Sequence, residues 1–90
     1  PNVFGEGAEK HFVNFFNRLK KNNFLNEKIA NFYYFKIGRW DIELENEQTI
    51  KFPHYNVDEA ITKSIELLER EDFKNYNIID LRVDGKIIVE

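Results

Sequence analysis

The sequence predicts an α+β domain: a mostly antiparallel sheet of about five strands carrying two amphipathic helices, in the order (β)-α-β-β-β-α-β-β. Three observations predict it. From Trp40 to Glu45 apolar and charged residues alternate, with Trp40, Ile42 and Leu44 on one side and Asp41, Glu43 and Glu45 on the other. That period of two marks a half-buried strand. Two stretches, from Ala8 to Leu19 and from Val57 to Leu68, repeat their apolar residues at steps of three and four, the spacing of a helix with one buried face. Finally, Asp84-Gly85 stands between two short apolar runs, a strong hairpin signal.

Ninety residues without a cysteine bound the chain to one small domain, 1–90, that no disulfide or thiolate-bound metal reinforces. No apolar run approaches the ~20 residues that span a membrane. The chain opens on Pro1 with no secretory signal and reads as processed or cut from something longer. Its net charge of −3 divides unevenly, +4 over residues 1–40 and −7 over residues 41–90. Four basic residues lie between Lys10 and Lys21, but a nucleic-acid surface needs a broader basic face with aromatic or arginine readers; this one reads as a solvated helix face, so no nucleic-acid partner is expected.

Taken in order, Asn2-Val3-Phe4 reads as the end of a strand and Gly5-Glu6-Gly7 as a turn; the Lys-Ser/Thr of a phosphate loop is missing. Ala8, Phe12, Phe15, Phe16 and Leu19 form a helical stripe that covers the sheet, and Asn22-Asn23 end it because asparagine tolerates a left-handed backbone. Glu27 to Ile37 reads as a strand, with Ile29, Tyr33, Phe35 and Ile37 facing away from Ala30, Phe32, Tyr34 and Lys36. Both of its faces are apolar, so it is covered twice or meets something the chain lacks. Gly38 gives a tight link or a bulge before the Trp40 strand. Asn46-Glu47 breaks the alternation, which Ile50 and Phe52 resume until Pro53 ends it.

Asn56 and Glu59 predict a capping box for the second helix. Its buried face comprises Val57, Ala60, Ile61, Ser64, Ile65 and Leu68, and Glu59–Lys63 and Glu66–Arg70 are spaced for ion pairs. A last hairpin joins Asn77–Val83 to Lys86–Glu90. A two-residue turn sets Val83 opposite Lys86, Arg82 opposite Ile87 and Leu81 opposite Ile88. Ile79, Leu81, Val83 and Ile88 then share one face, and Asp80, Arg82, Ile87 and Val89 the other. A final strand with apolar residues on both faces and a free edge is one that proteins hide, or offer to a partner that adds a strand.

Chemistry-bearing patterns are sparse. Ser64 is the only serine and lies on the apolar face of a helix; His11 and His54 belong to no metal-binding spacing. Asp41, Glu43 and Glu45 are expected on a wet face where carboxylate pKa values are hard to tune. No catalytic residue, metal or cofactor is expected. Arg39 and Asp41 flank Trp40, and Asp80 and Arg82 flank Leu81. If the two strands face each other, Arg39–Asp80 and Asp41–Arg82 become pairs that fix register.

The order of motifs says more than periodicity. Val3-Phe4-Gly5-Glu6-Gly7-Ala8 and a helix precede Arg39-Trp40-Asp41-Ile42-Glu43-Leu44-Glu45-Asn46 and Ile50-Lys51-Phe52-Pro53. Then come the Ala60–Leu68 helix and Ile79-Asp80-Leu81-Arg82. This resembles the extracytoplasmic β domain of the FtsQ/DivIB family of bacterial cell-division proteins, and its Gly-Glu-Gly-Ala start looks most like the alphaproteobacterial members. The resemblance implies that the chain is the C-terminal part of that domain, without the single transmembrane helix and the POTRA domain of the whole protein. It implies a non-catalytic scaffold on the periplasmic face of the inner membrane, at the division septum. That scaffold would bind FtsB-type and FtsL-type membrane proteins and help to control septal peptidoglycan synthesis.

In the family the partner is thought to add a strand at the end of the domain. Val83, Gly85, Val89 and Glu90 align with partner-facing positions, so the resemblance assigns partner binding to Val83, Gly85, Lys86, Ile87, Ile88, Val89 and Glu90. Arg39, Trp40 and Asp41, with Asp80, Leu81 and Arg82, match motif positions of the scaffold. Two departures stand out: Asn46-Glu47 where the family often has Asn-Gly, suggesting a longer or looser loop, and Glu90 where some relatives carry an aromatic. Two other function classes compete with this reading. One is a domain that homo-oligomerises through its exposed sheet edge, for which a weak homodimer is the expected form. The other is a hydrolase using His11 or His54 with a carboxylate.

Overall fold

The computed structural model describes residues 1–90. Its strands are β1 (Asn2–Phe4), β2 (Ile29–Phe35), β3 (Arg39–Leu44), β4 (Thr49–Lys51), β5 (Ile78–Asp80) and β6 (Ile88–Val89); its helices are α1 (Ala8–Lys21) and α2 (Val57–Glu69). The six strands lie in one sheet in the order of the chain. β2, β3, β4 form an antiparallel meander, and β5 and β6 are antiparallel, whereas β1–β2 and β4–β5 are parallel. The α+β class and the element order therefore match the sequence reading, with a sixth strand supplied by Asn2–Phe4.

Each parallel pair needs a crossover, and each crossover is a helix. β1-α1-β2 and β4-α2-β5 step in the same direction across the sheet, so a common handedness puts both helices on one face. Val3, Phe32, Ile42, Ile50, Ile79 and Val89 form one row across that face. Leu19, Phe32, Ile42, Ile50, Phe52, Ile61 and Ile79 are wholly buried. Trp40 heads the apolar row of β3, as the alternation predicts, and lies flat against Phe15 of α1, with ring centroids 5.2 Å apart and planes 2° from parallel. Phe32 meets Trp40 edge-on at 6.2 Å. These contacts give the core a preferred geometry beyond the area it buries.

α1 ends as its asparagines predict. Asn23 is left-handed at φ 68°, its N–H bonds Lys20 C=O at 3.0 Å, and Phe24 N–H bonds Leu19 C=O at 2.9 Å. This is a Schellman closure, with Phe24 turned back beside Leu19. α2 begins differently from the expectation. Asn56 is itself left-handed at φ 54° and makes no side-chain cap. A capping side chain needs an extended backbone at that residue, so no capping box with Glu59 forms. The ion pairs also differ: Lys63 meets Glu66 at 3.7 Å and Arg70 meets Asp72 at 2.7 Å. These exposed pairs contribute little.

Four further expectations are corrected. A bulge between Ile29 and Asn31 shifts the phase of β2, so Ile29 is buried on the same face as Phe32. Ile37 lies in the turn beyond β2 and is exposed. The link at Gly38 is a three-residue connection, with Phe35 paired to Arg39 and Gly38 N–H bonded to Phe35 C=O at 2.8 Å. The second strand of the terminal hairpin is offset by one residue, because Asp80 lies opposite Ile88 and Ile79 opposite Val89. Val89 therefore joins the helix face and Ile88 the open face, the reverse of the expected assignment.

Candidate partner-docking edge

The helix-free face of the sheet carries Tyr33, Asp41, Lys51, Asp80 and Ile88 in one row. β4 separates β3 from β5, so the cross-strand pairs Arg39–Asp80 and Asp41–Arg82 do not form. Residues two apart on one strand share a face, and Arg39 pairs with Asp41, Arg82 with Asp80. Asp41 is buried, not wet. Burial raises its pKa above the ordinary carboxylate value and outweighs the hydrogen bond from Arg39. Asp80 moves the opposite way: hydrogen bonding from Arg82 holds its pKa low and exceeds the effect of burial.

Asp80 also decides how the chain leaves β5. Its Oδ1 accepts the Arg82 backbone N–H at 3.0 Å and Arg82 Nε at 2.9 Å, and its Oδ2 accepts Arg82 Nη2 at 2.7 Å. With that N–H taken, Arg82 has no backbone donor left for the returning strand, and the β5–β6 ladder stops at Asp80. Leu81 stays with the sheet through its N–H on Lys51 C=O at 2.9 Å. The chain then turns at Val83–Lys86, closed by Lys86 N–H on Val83 C=O at 3.1 Å, and comes back as β6.

Ile78 and Glu90 exchange both backbone bonds, Ile78 N–H to Glu90 C=O at 3.2 Å and Glu90 N–H to Ile78 C=O at 3.1 Å; Asn77 N–H adds a third at 2.7 Å. In an antiparallel ladder the next residue along points its N–H and C=O the other way. The backbone groups of Val89 therefore face away from β5, on a strand that has no further neighbour. Val83, Ile87 and Ile88 are exposed around this edge, without the proline or dense charge that usually blunts one. A half-open cleft of about 350 Å³ adjoins it between α2 and the 81–87 connection, with Tyr55, Ala60 and Lys63 on one side and Leu81, Val83 and Ile87 on the other.

Of the residues assigned to partner binding, Ile87, Ile88 and Val89 lie along this edge, Glu90 anchors its end, and Val83, Gly85 and Lys86 make its tip. The scaffold residues do not come together as one group: Trp40 and Leu81 are buried on the helix face, the four charged ones on the other. Sequence reasoning missed Gln48. It is buried, and its Nε2 donates to Phe73 C=O at 3.0 Å and Tyr76 C=O at 2.9 Å, fixing the segment that enters β5. A lone glutamine beside a turn carries no signal of that role. His11 and His54 line one cleft with Asn14 and Arg18, and no carboxylate lines it. The histidine–carboxylate pair of the hydrolase reading is not assembled there.

The family model for the cell division protein FtsQ/DivIB, C-terminal, matches residues 1–82. The chain belongs to the FtsQ/DivIB family. No individual curated protein matches it. The FtsQ/DivIB match covers β1 to β5 and stops at Arg82, the residue that Asp80 brackets. The tip of the ribbon and β6 lie beyond the matched region. Membership makes the chain a cell-division domain.

Proposed function

We propose that the chain is a non-catalytic scaffold of the division machinery that binds an FtsB-type partner, and FtsL through it, by taking a partner strand onto β6. The observation that carries this is the outward Val89 backbone on the last strand of the sheet, among exposed Ile87, Ile88 and Val83. An extended peptide there gains main-chain hydrogen bonds along the edge. The rest of the reading follows the family: a periplasmic position at the septum, a membrane anchor and a POTRA domain elsewhere in the whole protein, and no small-molecule substrate.

Hydrogen exchange tests it. With a saturating synthetic peptide from the C-terminal part of the FtsB-type protein of the same genome, the Val89 and Ile87 amides are expected to slow at least tenfold. Ile88 and Glu90, already bonded inward, should change less. Unchanged exchange at Val89 removes the proposal. The same edge could take a second copy of the chain, so light scattering is run without peptide: a monomer at high concentration discards the homodimer reading.

A further inference from the structure

The tip and the ladder of the terminal ribbon are one residue out of phase. The ladder sets Asp80 opposite Ile88 and Ile79 opposite Val89, and its continuation would set Leu81 opposite Ile87 and Arg82 opposite Lys86. The tip is closed between Val83 and Lys86. Pairing continued outward from that turn would set Arg82 opposite Ile87 and Leu81 opposite Ile88. Neither register is completed, since Leu81, Arg82, Lys86 and Ile87 pair with nothing across the ribbon. The Arg82 N–H that the ladder needs is held on Asp80 Oδ1.

We propose that the strand 86–90 has two registers on β5, the one seen and one slipped by a residue, and that an arriving partner strand selects between them. The proposal rests on the reading of β6 as the docking edge. Because strand geometry has a period of two, the slip reverses everything the partner meets. Leu81 bonds inward to β4, so Asp80 and Arg82 direct their backbone groups toward the returning strand. In the register seen, Ile88 answers Asp80, Glu90 answers Ile78, Arg82 is left unanswered, and Val89 faces out. In the slipped register Ile87 and Val89 answer, and Ile88 and Glu90 face out. The side chains trade places as well: Val89 moves to the open face and Ile88 to the helix face beside Leu81.

The slip trades one set of contacts for another. The slip exchanges a half-buried valine for an exposed isoleucine on the core side. It gives up the bonds of Glu90 to Asn77 and Ile78 and the hold of Asp80 on Arg82 N–H, and it gains ladder bonds between Arg82 and Ile87. A partner that bonds one set of outward groups binds one register better, which is what a ligand needs in order to shift a population.

The chain has no cysteine, so engineered pairs report register cleanly. Ile79→Cys with Val89→Cys reads the register seen, and Leu81→Cys with Ile88→Cys reads the slipped one. Both are pairs whose backbones do not bond each other, where cross-strand separation is short enough for a disulfide. In a glutathione redox buffer both disulfides are expected to form, the second with an effective concentration about 10–1,000-fold below the first, the range for a populated minor state. A second pair weaker than that overturns the proposal. If a cysteine chain fails to fold, saturation-transfer NMR on the unaltered chain decides. A second set of amide shifts for Ile87 to Glu90 moving at one common rate is expected, and a single set overturns it.

Selection is read from the two locked disulfide forms and the FtsB-type peptide. They are expected to differ at least tenfold in affinity, and equal affinities overturn selection. A peptide that binds neither locked form nor the reduced chains overturns selection by removing the docking reading itself; the existence of two registers is decided by the disulfides alone.

Discussion

Gly38 and Glu47 hold the same position in two hairpins of one design. Each is the last residue of a three-residue connection whose N–H closes the turn, Gly38 on Phe35 C=O at 2.8 Å and Glu47 on Leu44 C=O at 2.9 Å. Each is left-handed, at φ 94° and φ 74°. This is the type I turn followed by a left-handed residue, common in three-residue hairpins. Without an Asn-Gly, the β3–β4 loop is a closed three-residue connection with a side chain at its costly position. Glu47→Gly relieves that cost, and chemical denaturation should show a gain of about 1 kcal/mol. Gly38→Ala should lose a similar amount.

Gly5 has a different reason to be glycine. It combines φ 118° with a site where a Cβ would overlap the Tyr34 carbonyl. Gly5→Ala must distort the β1–α1 turn or push β1 off β2, and is expected to cost roughly 2–4 kcal/mol. Amide exchange should localise the loss to β1 and the start of α1.

Gln48 ties the β3–β4 hairpin to the segment entering β5. Gln48→Ala removes the side-chain donor to the Phe73 and Tyr76 carbonyls, of which Phe73 keeps the Tyr76 N–H, at a cost of about 1–3 kcal/mol. Because that segment leads into β5, whose Ile78 exchanges backbone bonds with Glu90, exchange at Ile78 and Glu90 should quicken more than at Ile42.

The regular half of this molecule was legible in its sequence. The Trp40-Ile42-Leu44 alternation, both helical stripes and the left-handed end of α1 at Asn23 are local patterns, and each element follows its own. What escaped were outcomes that no local pattern carries. The terminal hairpin is offset by one residue, and its ladder stops where Asp80 takes the Arg82 N–H. The bulge beside Ile29 turns a residue over. Arg39 and Asp41 are buried together on a face without helices. The edge itself was readable from the sequence, because Ile87 and Val89 break the alternation of their own strand; its register was not.

Asp80 and Asp41 should pull the pH dependence of stability in opposite directions. Asp80 has a lowered pKa in the folded state. It contributes stability above the unfolded value of about 3.9, and that contribution is lost as pH falls through the folded value. Asp41 has a raised pKa. Its contribution is fully present below about 3.9 and is lost as pH rises through the raised value. Urea midpoints from pH 7 to pH 2 test both. The advantage of the parent chain over Asp80→Asn should shrink on acidification, and its advantage over Asp41→Asn should grow.

Val89 and Ile88 are neighbours whose backbones do opposite things, and proline separates their roles. Proline removes one N–H and is accepted on an edge strand only where that N–H faces outward. Val89 directs its N–H to the open edge, so Val89→Pro should leave a folded monomer with thermal unfolding within a few degrees of the parent. It should nevertheless weaken the FtsB-type peptide at least tenfold. Ile88 bonds inward to Asp80, so Ile88→Pro should break the β5–β6 ladder, cost roughly 1–3 kcal/mol, and free the Glu90 amide to exchange. A Val89→Pro chain that binds as tightly as the parent would show that the peptide does not bond to this strand. Loss of folding in that variant, with Ile88→Pro intact, would mean that the inward and outward sets had been assigned the wrong way round.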